Sequence, residues 1–202
     1  MYIPKPFEIT DKRAIHKIID ANGFGVLVSA GGELIGTHLP FLLHPNEGKH
    51  GTLYAHIARP NPHRELFGNG AMAIFMGPHG YVSPTWYSDR STNVPTWNYV
   101  AVHAYGVPVE VPEAEAAPHL ATLVAQYEAK GGWSMTELKG NLRETLPKGV
   151  AAFRMEITRL EGKAKLSQNK PVAERLRVMD QFRAKGETAL ADAMKEYVEI
   201  VG

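Results

Sequence analysis

Polar residues set inside apolar strands are where this sequence offers chemistry. Thr37-His38-Leu39-Pro40 interrupts an otherwise apolar strand. His56-Ile57-Ala58-Arg59-Pro60-Asn61 does the same at a strand end that leads into a short helix. The second arrangement has a physical use. A guanidinium makes charge-assisted hydrogen bonds and a helix start presents unpaired N–H donors, so Arg59, Asn61 and the helix start could together hold a phosphate monoester. A surface cation at a strand end also accounts for Arg59. A second donor-rich segment, Gly162 to Lys170 (G-K-A-K-L-S-Q-N-K), lies between a strand and a helix. It suits an anion or the carbonyls of a ligand, and it suits a solvated loop that caps a helix opening at Pro171.

Two further groups carry possible chemistry. Tyr81 to Tyr87 and Val94 to Tyr99 concentrate Trp and Tyr, which bury large areas while keeping a polar end. They fit the flank of a planar ligand, a subunit interface, or a core covered by loops. All nine histidines precede residue 120. His38, His56 and His103 fall on strands read as neighbours, where they could meet at a metal. Satisfied or surface histidines are the simpler reading.

Other chemistries are excluded or redirected. With no cysteine there is no disulfide, thiolate nucleophile or Cys-based metal site. No G-x-S-x-G, H-E-x-x-H or P-loop is present. Gly68 to Ala73 fits G-x-G-x-x-A, but it follows a short helix and opens a strand, the reverse of a dinucleotide fingerprint, so it reads as a turn. The net charge is +1, which does not advertise a nucleic-acid partner. Residues 154–185 nevertheless carry nine Lys/Arg against four Asp/Glu, a local excess of +5, the one hint of a DNA-facing surface. No signal-length apolar run opens the chain and none reaches the roughly 20 residues of a membrane span. The expectation is a cytoplasmic protein without a membrane partner.

These residues need elements to position them. At 202 residues, 44% hydrophobic and 21% charged, the chain is long enough for one well-cored domain with a helical appendage. Thr10-Asp11 starts a helix that Asn22-Gly23 ends through a left-handed cap. Strands are expected over 24–30, 33–43 (an edge or a bulge at Pro40), 52–58, 71–76, 97–111 and 150–160, with a tight turn at Gly31-Gly32. Helices are expected at Pro112 to Lys130, with Leu120, Leu123, Val124 and Tyr127 on one face. Another opens at the capping box Ser134 to Glu137 and runs through Leu146. A C-terminal pair spans Pro171 to Lys185 and Glu187 to Val201. Six strands joined by hairpins and short turns argue an α+β fold: an antiparallel barrel with peripheral helices and a C-terminal helical pair. The expected division is 1–170 for the barrel and 171–202 for a helical extension packed on it.

Taken together, T-H-L-P at 37–40, H-I-A-R-x-N-P at 56–62, G-P-H-G-Y-V-S-P at 77–84, W-Y at 86–87, V-P-T-W-N-Y at 94–99, V-H-A-Y-G at 102–106 and K-L-S-Q-N-K at 165–170 resemble the PaiB-type family of FMN-binding negative transcriptional regulators. The likeness covers almost the whole chain. That family resembles the pyridoxamine-phosphate-oxidase-like flavoproteins, six-stranded split β-barrels that dimerise and bind FMN between subunits. The resemblance implies FMN as cofactor and a homodimer, with DNA as a further partner. It implies that Thr37, His38, Leu39 and Pro40 line the flavin ring, their backbone reading its N3–O4 edge. His56, Ala58, Arg59 and Asn61 would hold the ribityl phosphate. Trp97, Asn98, Lys165, Ser167, Gln168 and Asn169 would approach from the second subunit. Because split barrels host several chemistries, a flavin-dependent oxidoreductase using a reduced nicotinamide and a haem-binding barrel stand as alternatives. Whether the chain is an enzyme is left open, and no catalytic residue is assigned.

Overall fold

Alternation of apolar and polar residues builds eight strands in the computed structural model, which describes residues 1–199. They are β1 (Glu8–Ile9), β2 (Phe24–Gly31), β3 (Glu33–Pro40), β4 (Leu42–His44), β5 (Thr52–Ala58), β6 (Ala71–Val82), β7 (Thr96–Glu110) and β8 (Val150–Lys165). Five helices accompany them: α1 (Lys12–Ala21), α2 (Glu113–Tyr127), α3 (Leu142–Thr145), α4 (Val172–Ala184) and α5 (Thr188–Glu199). The sheet order is β3-β2-β6-β7-β8-β5-β4, with β1 paired to β8. The hairpin β2–β3 and the pairs β2–β6, β4–β5 and β5–β8 run antiparallel. This is the expected α+β class.

The strand count is eight rather than six, for two physical reasons. β1 is two residues long, too short to show a period. The return strand expected over 33–43 is cut at Pro40, which has no N–H to continue a ladder. Phe41 N–H instead donates to the Gly23 carbonyl at 2.8 Å, and Leu42–His44 changes partner to β5. β6 and β8 run past their expected ends, with glycines where neighbours approach closely. A Cβ on Gly80 would come within 2.7 Å of the Phe182 ring.

Three helix expectations are also corrected. The capping box at Ser134 forms, but only as a 3₁₀ turn, and Gly140 at φ +61° then separates it from the single turn of α3. α2 buries Ala116, His119 and Leu123, a face rotated from the expected one. Neither Asn22 nor Gly23 has a positive φ, so α1 does not end on a left-handed cap. Its start is as expected, with the Asp11 carboxylate accepting from Arg13 N–H at 2.9 Å. The expected end of the last helix at Val201 lies outside the described residues.

The chain divides into two compact units. One comprises Met1–Ile18, Met76–Val102 and the chain from Glu161 on. Here α4 buries Val178, Met179 and Phe182, and α5 buries Leu190, Ala191 and Met194. Phe182 meets Trp86 edge-on at 5.2 Å. The other unit comprises Ile19–Phe75 and His103–Leu160. Its core is aromatic: Phe41 lies 5.3 Å from Phe75 and 6.5 Å from Phe153, and Phe153 lies 4.9 Å from Phe67.

α2 is fastened to β5 by a histidine pair, His56 Nδ1 and His119 Nε2, 3.2 Å apart. Burial lowers both pKa values, that of His119 to about 4, with His56 and His44 nearby as further causes. Both rings are therefore neutral in the folded protein at neutral pH, while in the unfolded chain they take up protons near pH 6.5. The contribution of the pair is complete above that pH and is lost as pH falls from about 6.5 towards about 4. Urea midpoints measured across this range should fall for the wild type, and less steeply for His119→Gln, which keeps a hydrogen-bonding group but cannot titrate. Phe153→Ala, at a fully buried site, should cost about 3–5 kcal/mol, read as a lower urea midpoint with unchanged slope.

Candidate functional site

The first group of expected site residues lies on β3, β5 and the turn that follows β5. β3 is the last strand of the sheet, so alternate residues direct backbone N–H and C=O groups away from β2. Thr37 Oγ1 lies 2.8 Å from His63 Nδ1, while the exposed His38 ring stacks on Phe24 at 6.3 Å. Leu39 is buried and Pro40 half-buried. His56 is committed to His119. Ala58 is exposed at the end of β5.

Arg59 is held by three groups. Nε donates to the Lys148 carbonyl at 2.8 Å, Nη2 donates to the Val150 carbonyl at 2.9 Å, and Nη1 lies 3.5 Å from Glu110. Glu110 also receives Arg64 through two hydrogen bonds, at 2.8 and 3.1 Å. Two guanidinium groups thus share one carboxylate, leaving one net positive charge at the strand end. The expected contribution from the helix start is corrected. The 3₁₀ turn Pro62–Leu66 begins with a proline, which has no N–H. His63 N–H is taken by Asn61 Oδ1 at 2.9 Å, and Arg64 N–H by the Asn61 carbonyl. Asn61 is thus a cap, and Arg59 is the group that could meet a phosphate.

The second group gathers in the other unit around a cavity of about 180 Å³. It is lined by Asn98, Lys165, Ser167 and Asn169 from the expected set, together with Tyr87, Asn93 and Lys170. Lys165 Nζ donates to Thr96 Oγ1 and to the Trp97 carbonyl, both at 2.6 Å. Burial, with Lys163 nearby, holds this ammonium below the usual lysine range. Asn98 is fully buried and exchanges hydrogen bonds with Ser167 Oγ at 3.0 and 3.1 Å. Ser167 sits at φ +65°. Gln168 serves its own loop: Oε1 accepts from Leu166 N–H at 2.6 Å and Nε2 donates to the Ala164 carbonyl. Trp97 is 53% exposed and meets Tyr81 edge-on at 6.0 Å. Among the described residues no carboxylate lines the cavity. Two ammonium groups with amides and hydroxyls suit a ligand that offers carbonyls and negative charge.

Several participants lie outside the expected set. Lys170 Nζ donates to Asn93 Oδ1 at 2.6 Å and sits 5.3 Å from the Tyr87 ring, and Ser88 donates to Glu174. These contacts tie the aromatic loop 83–95 to the basic loop and to the first turn of α4. Lys170 stood in the quoted motif, so its signal was available. Asn93 and Tyr87 are joined to it only by contacts across long stretches of chain. The three strand histidines do not converge. β2 and β6 separate β3 from β7, and β8 separates β7 from β5. Among the described residues no group of three His, Asp or Glu could hold a metal ion. The basic run 154–185 is dispersed as well. Lys163 is buried, Arg159 lies over the Tyr105 ring at 3.4 Å, Arg175 is buried, and Arg183 faces Asp180 and Asp192.

Comparisons with known proteins bear on the family, the fold and the cofactor. The family model described as "Putative FMN-binding domain" matches residues 1–159. The protease synthase and sporulation protein PAI 2 of Bacillus subtilis is 34% identical, over 98% of this chain and 97% of its own length. Among solved structures, the flavocytochrome Anf3 from Azotobacter vinelandii aligns with a TM-score of 0.63 at 17% identity, covering 78% of this chain and 69% of its own. A FAD and heme binding protein from Mycobacterium smegmatis gives 0.62 at 14% identity, covering 84% and 78%. At these identities the structural likeness speaks for the split-barrel fold alone. The chain belongs to the PaiB-type family of FMN-binding domains, and FMN is the family's cofactor.

Proposed function

We propose that this chain is a homodimeric FMN-binding protein of the PaiB-like regulatory type, with the flavin between two copies. The carboxylate-free cavity with Lys165 and Lys170 is the observation that carries this reading. Bound FMN supplies reversible electron transfer; the residues supply recognition. The outer backbone edge of Thr37–Pro40 would read the flavin's N3–O4 edge. Arg59 would take the ribityl phosphate, with Arg64 sharing the compensating Glu110. From the second copy, Lys165, Ser167 and Asn169 would meet the ring's N1–C2 carbonyl side. Asn98 and Gln168 would hold that loop in shape, and the exposed Trp97 would cover a ring face. A lysine at that position favours negative charge on the ring by electrostatics.

The dimer is supported by the outward face of β2, β3 and β6. Paired registers align Val26 with His38 and Ile74, Val28 with Gly36 and Met72, and Ala30 with Leu34. Phe24 is 66% and Leu34 77% exposed. A groove of about 400 Å³ on this face is lined by Val28, Ala30, Leu34, Met72, Tyr105 and Val107. A solvent-facing strand face is ordinarily polar, and apolar patches of this kind mark interfaces. The regulatory part of the reading rests on the relative PAI 2, a protease synthase and sporulation protein by name. The dispersal of the basic run favours the flavin over DNA as the use of Lys165 and Lys170.

The purified protein should keep a two-banded flavin spectrum after incubation with FMN and desalting. A Soret band instead would replace the flavin by haem, and a colourless protein would end the reading. Arg59→Ala and Lys165→Met should each weaken FMN binding by about 1.5–3 kcal/mol, the range for a hydrogen bond to a charged group, measured by quenching of flavin fluorescence. Leu34→Asp should convert a dimer to a monomer in analytical ultracentrifugation. A monomeric wild type would remove the dimer.

A further inference from the structure

His63 belongs to none of the proposed flavin contacts, yet it is fully buried between the segments that make them. Its Nδ1 lies 2.8 Å from Thr37 Oγ1 on β3, and its Nε2 lies 2.9 Å from Ser29 Oγ on β2. Its backbone N–H donates to Asn61 Oδ1 at 2.9 Å, and Asn61 N–H donates to the Ala58 carbonyl at 2.8 Å. One residue therefore joins the sheet interior, the edge strand carrying Thr37–Pro40, and the turn containing Arg59.

The chemistry of the ring suits this task. A neutral imidazole offers one N–H and one lone pair, and each hydroxyl partner can either donate or accept, so both contacts persist in either tautomer. Burial keeps the ring neutral at neutral pH. A leucine would fill similar volume, so packing alone does not require the two ring nitrogens. What they add is a fixed distance between strand and turn. β3 has a strand on one side only, so its spacing from the turn is not set by a second ladder.

We infer that His63 is a positioning residue for flavin binding, setting the spacing between the main chain that reads the ring and the arginine that takes the phosphate. This rests on the proposed FMN site. Ring and phosphate belong to one molecule, so two segments that bind them must keep one separation to bind both at full strength.

The test compares wild type, His63→Leu, His63→Asn and Ser29→Ala, each titrated with FMN and with riboflavin, with thermal unfolding alongside. His63→Leu should bind FMN roughly tenfold or more weakly, the equivalent of one or two lost hydrogen bonds. Its preference for FMN over riboflavin should shrink, because a phosphate out of step with the ring adds less. His63→Asn puts an amide near the Nδ1 position and should recover part of both. Ser29→Ala removes one buried hydroxyl and should shift both in the same direction by less. Should His63→Leu not fold, the Asn and Ala variants decide. Folded variants with wild-type affinity and preference overturn the inference. So do variants that lose both flavins equally in step with their melting temperature, since that is a purely structural role. A wild type that binds no FMN overturns the proposed site itself, an outcome distinct from a binding wild type with indifferent variants.

Discussion

The loop after β8 turns on a serine held against its backbone preference. Ser167 at φ +65° occupies a region that L-residues other than Asn and Asp seldom adopt. It stays there because the buried Asn98 exchanges two hydrogen bonds with its hydroxyl. Asn98 N–H also reaches Met194 Sδ at 3.5 Å, so strand, loop and α5 meet at one amide. The turn this fixes aims Lys165 back at Thr96 and sends Lys170 to Asn93. If the serine relaxed to an ordinary conformation, those ammonium groups would lose their mutual placement. The cationic cavity is thus a consequence of one satisfied, buried polar pair.

Among the described residues, the fold also holds positive charge on neutral acceptors. Lys163 is buried, donating to the Tyr2 carbonyl and facing the Tyr2 and Tyr99 rings. Lys165 rests on a hydroxyl and a carbonyl. Neutral acceptors and ring faces can hold an ammonium, but burial without a counter-ion opposes the charged form, as the lowered pKa of Lys165 indicates. A core optimised for stability alone has no use for such groups, and departures of this kind cluster at functional sites. In the other unit Glu110 answers two arginines. Each unit therefore offers positive charge of its own, Arg59 and Arg64 over one Glu110 in one and Lys165 with Lys170 in the other.

How much of this was legible in the sequence depended on range. Strong alternation, as in Thr52–Ala58, marked its strand to the residue, and Asp11 and Asn61 announced their caps because a cap is a contact over two residues. The extensions of β6 and β8 past 76 and 160 were not legible because Gly80 and Gly162 leave room for neighbours distant in sequence, Phe182 and Ile15. The break at Pro40 was readable; the transfer of Leu42–His44 to another strand was not, since pairing partners leave no local trace. Lys165, Ser167 and Asn169 were found by motif and do line one cavity. Gln168 was found with them but spends its amide on its own loop. His63 and His119 were missed because their partners lie 26 and 63 residues away, at Thr37 and His56. For His119 a weaker signal was present: Ala116, His119 and Leu123 repeat at helical spacing.

The apolar sheet face and the donor-rich cavity make opposite demands on a single chain. Phe24, Val26, Val28, Leu34, Met72 and Ile74 gain from leaving water, whereas Lys165 and Lys170 gain from keeping it unless a ligand replaces it. A lone subunit exposes the first set and must hydrate the second. In the proposed dimer, a second copy covering the strands would remove the apolar area from water, and a ligand rich in acceptors would take over the solvent's hydrogen bonds at the cavity. In that arrangement association and cofactor binding would reinforce one another. Wherever the proposed association excluded water from Lys165, the lower local dielectric would strengthen its interaction with an anionic ring. A bound anionic ligand would in turn offset the cost of desolvating the ammonium groups, which would otherwise oppose the proposed association.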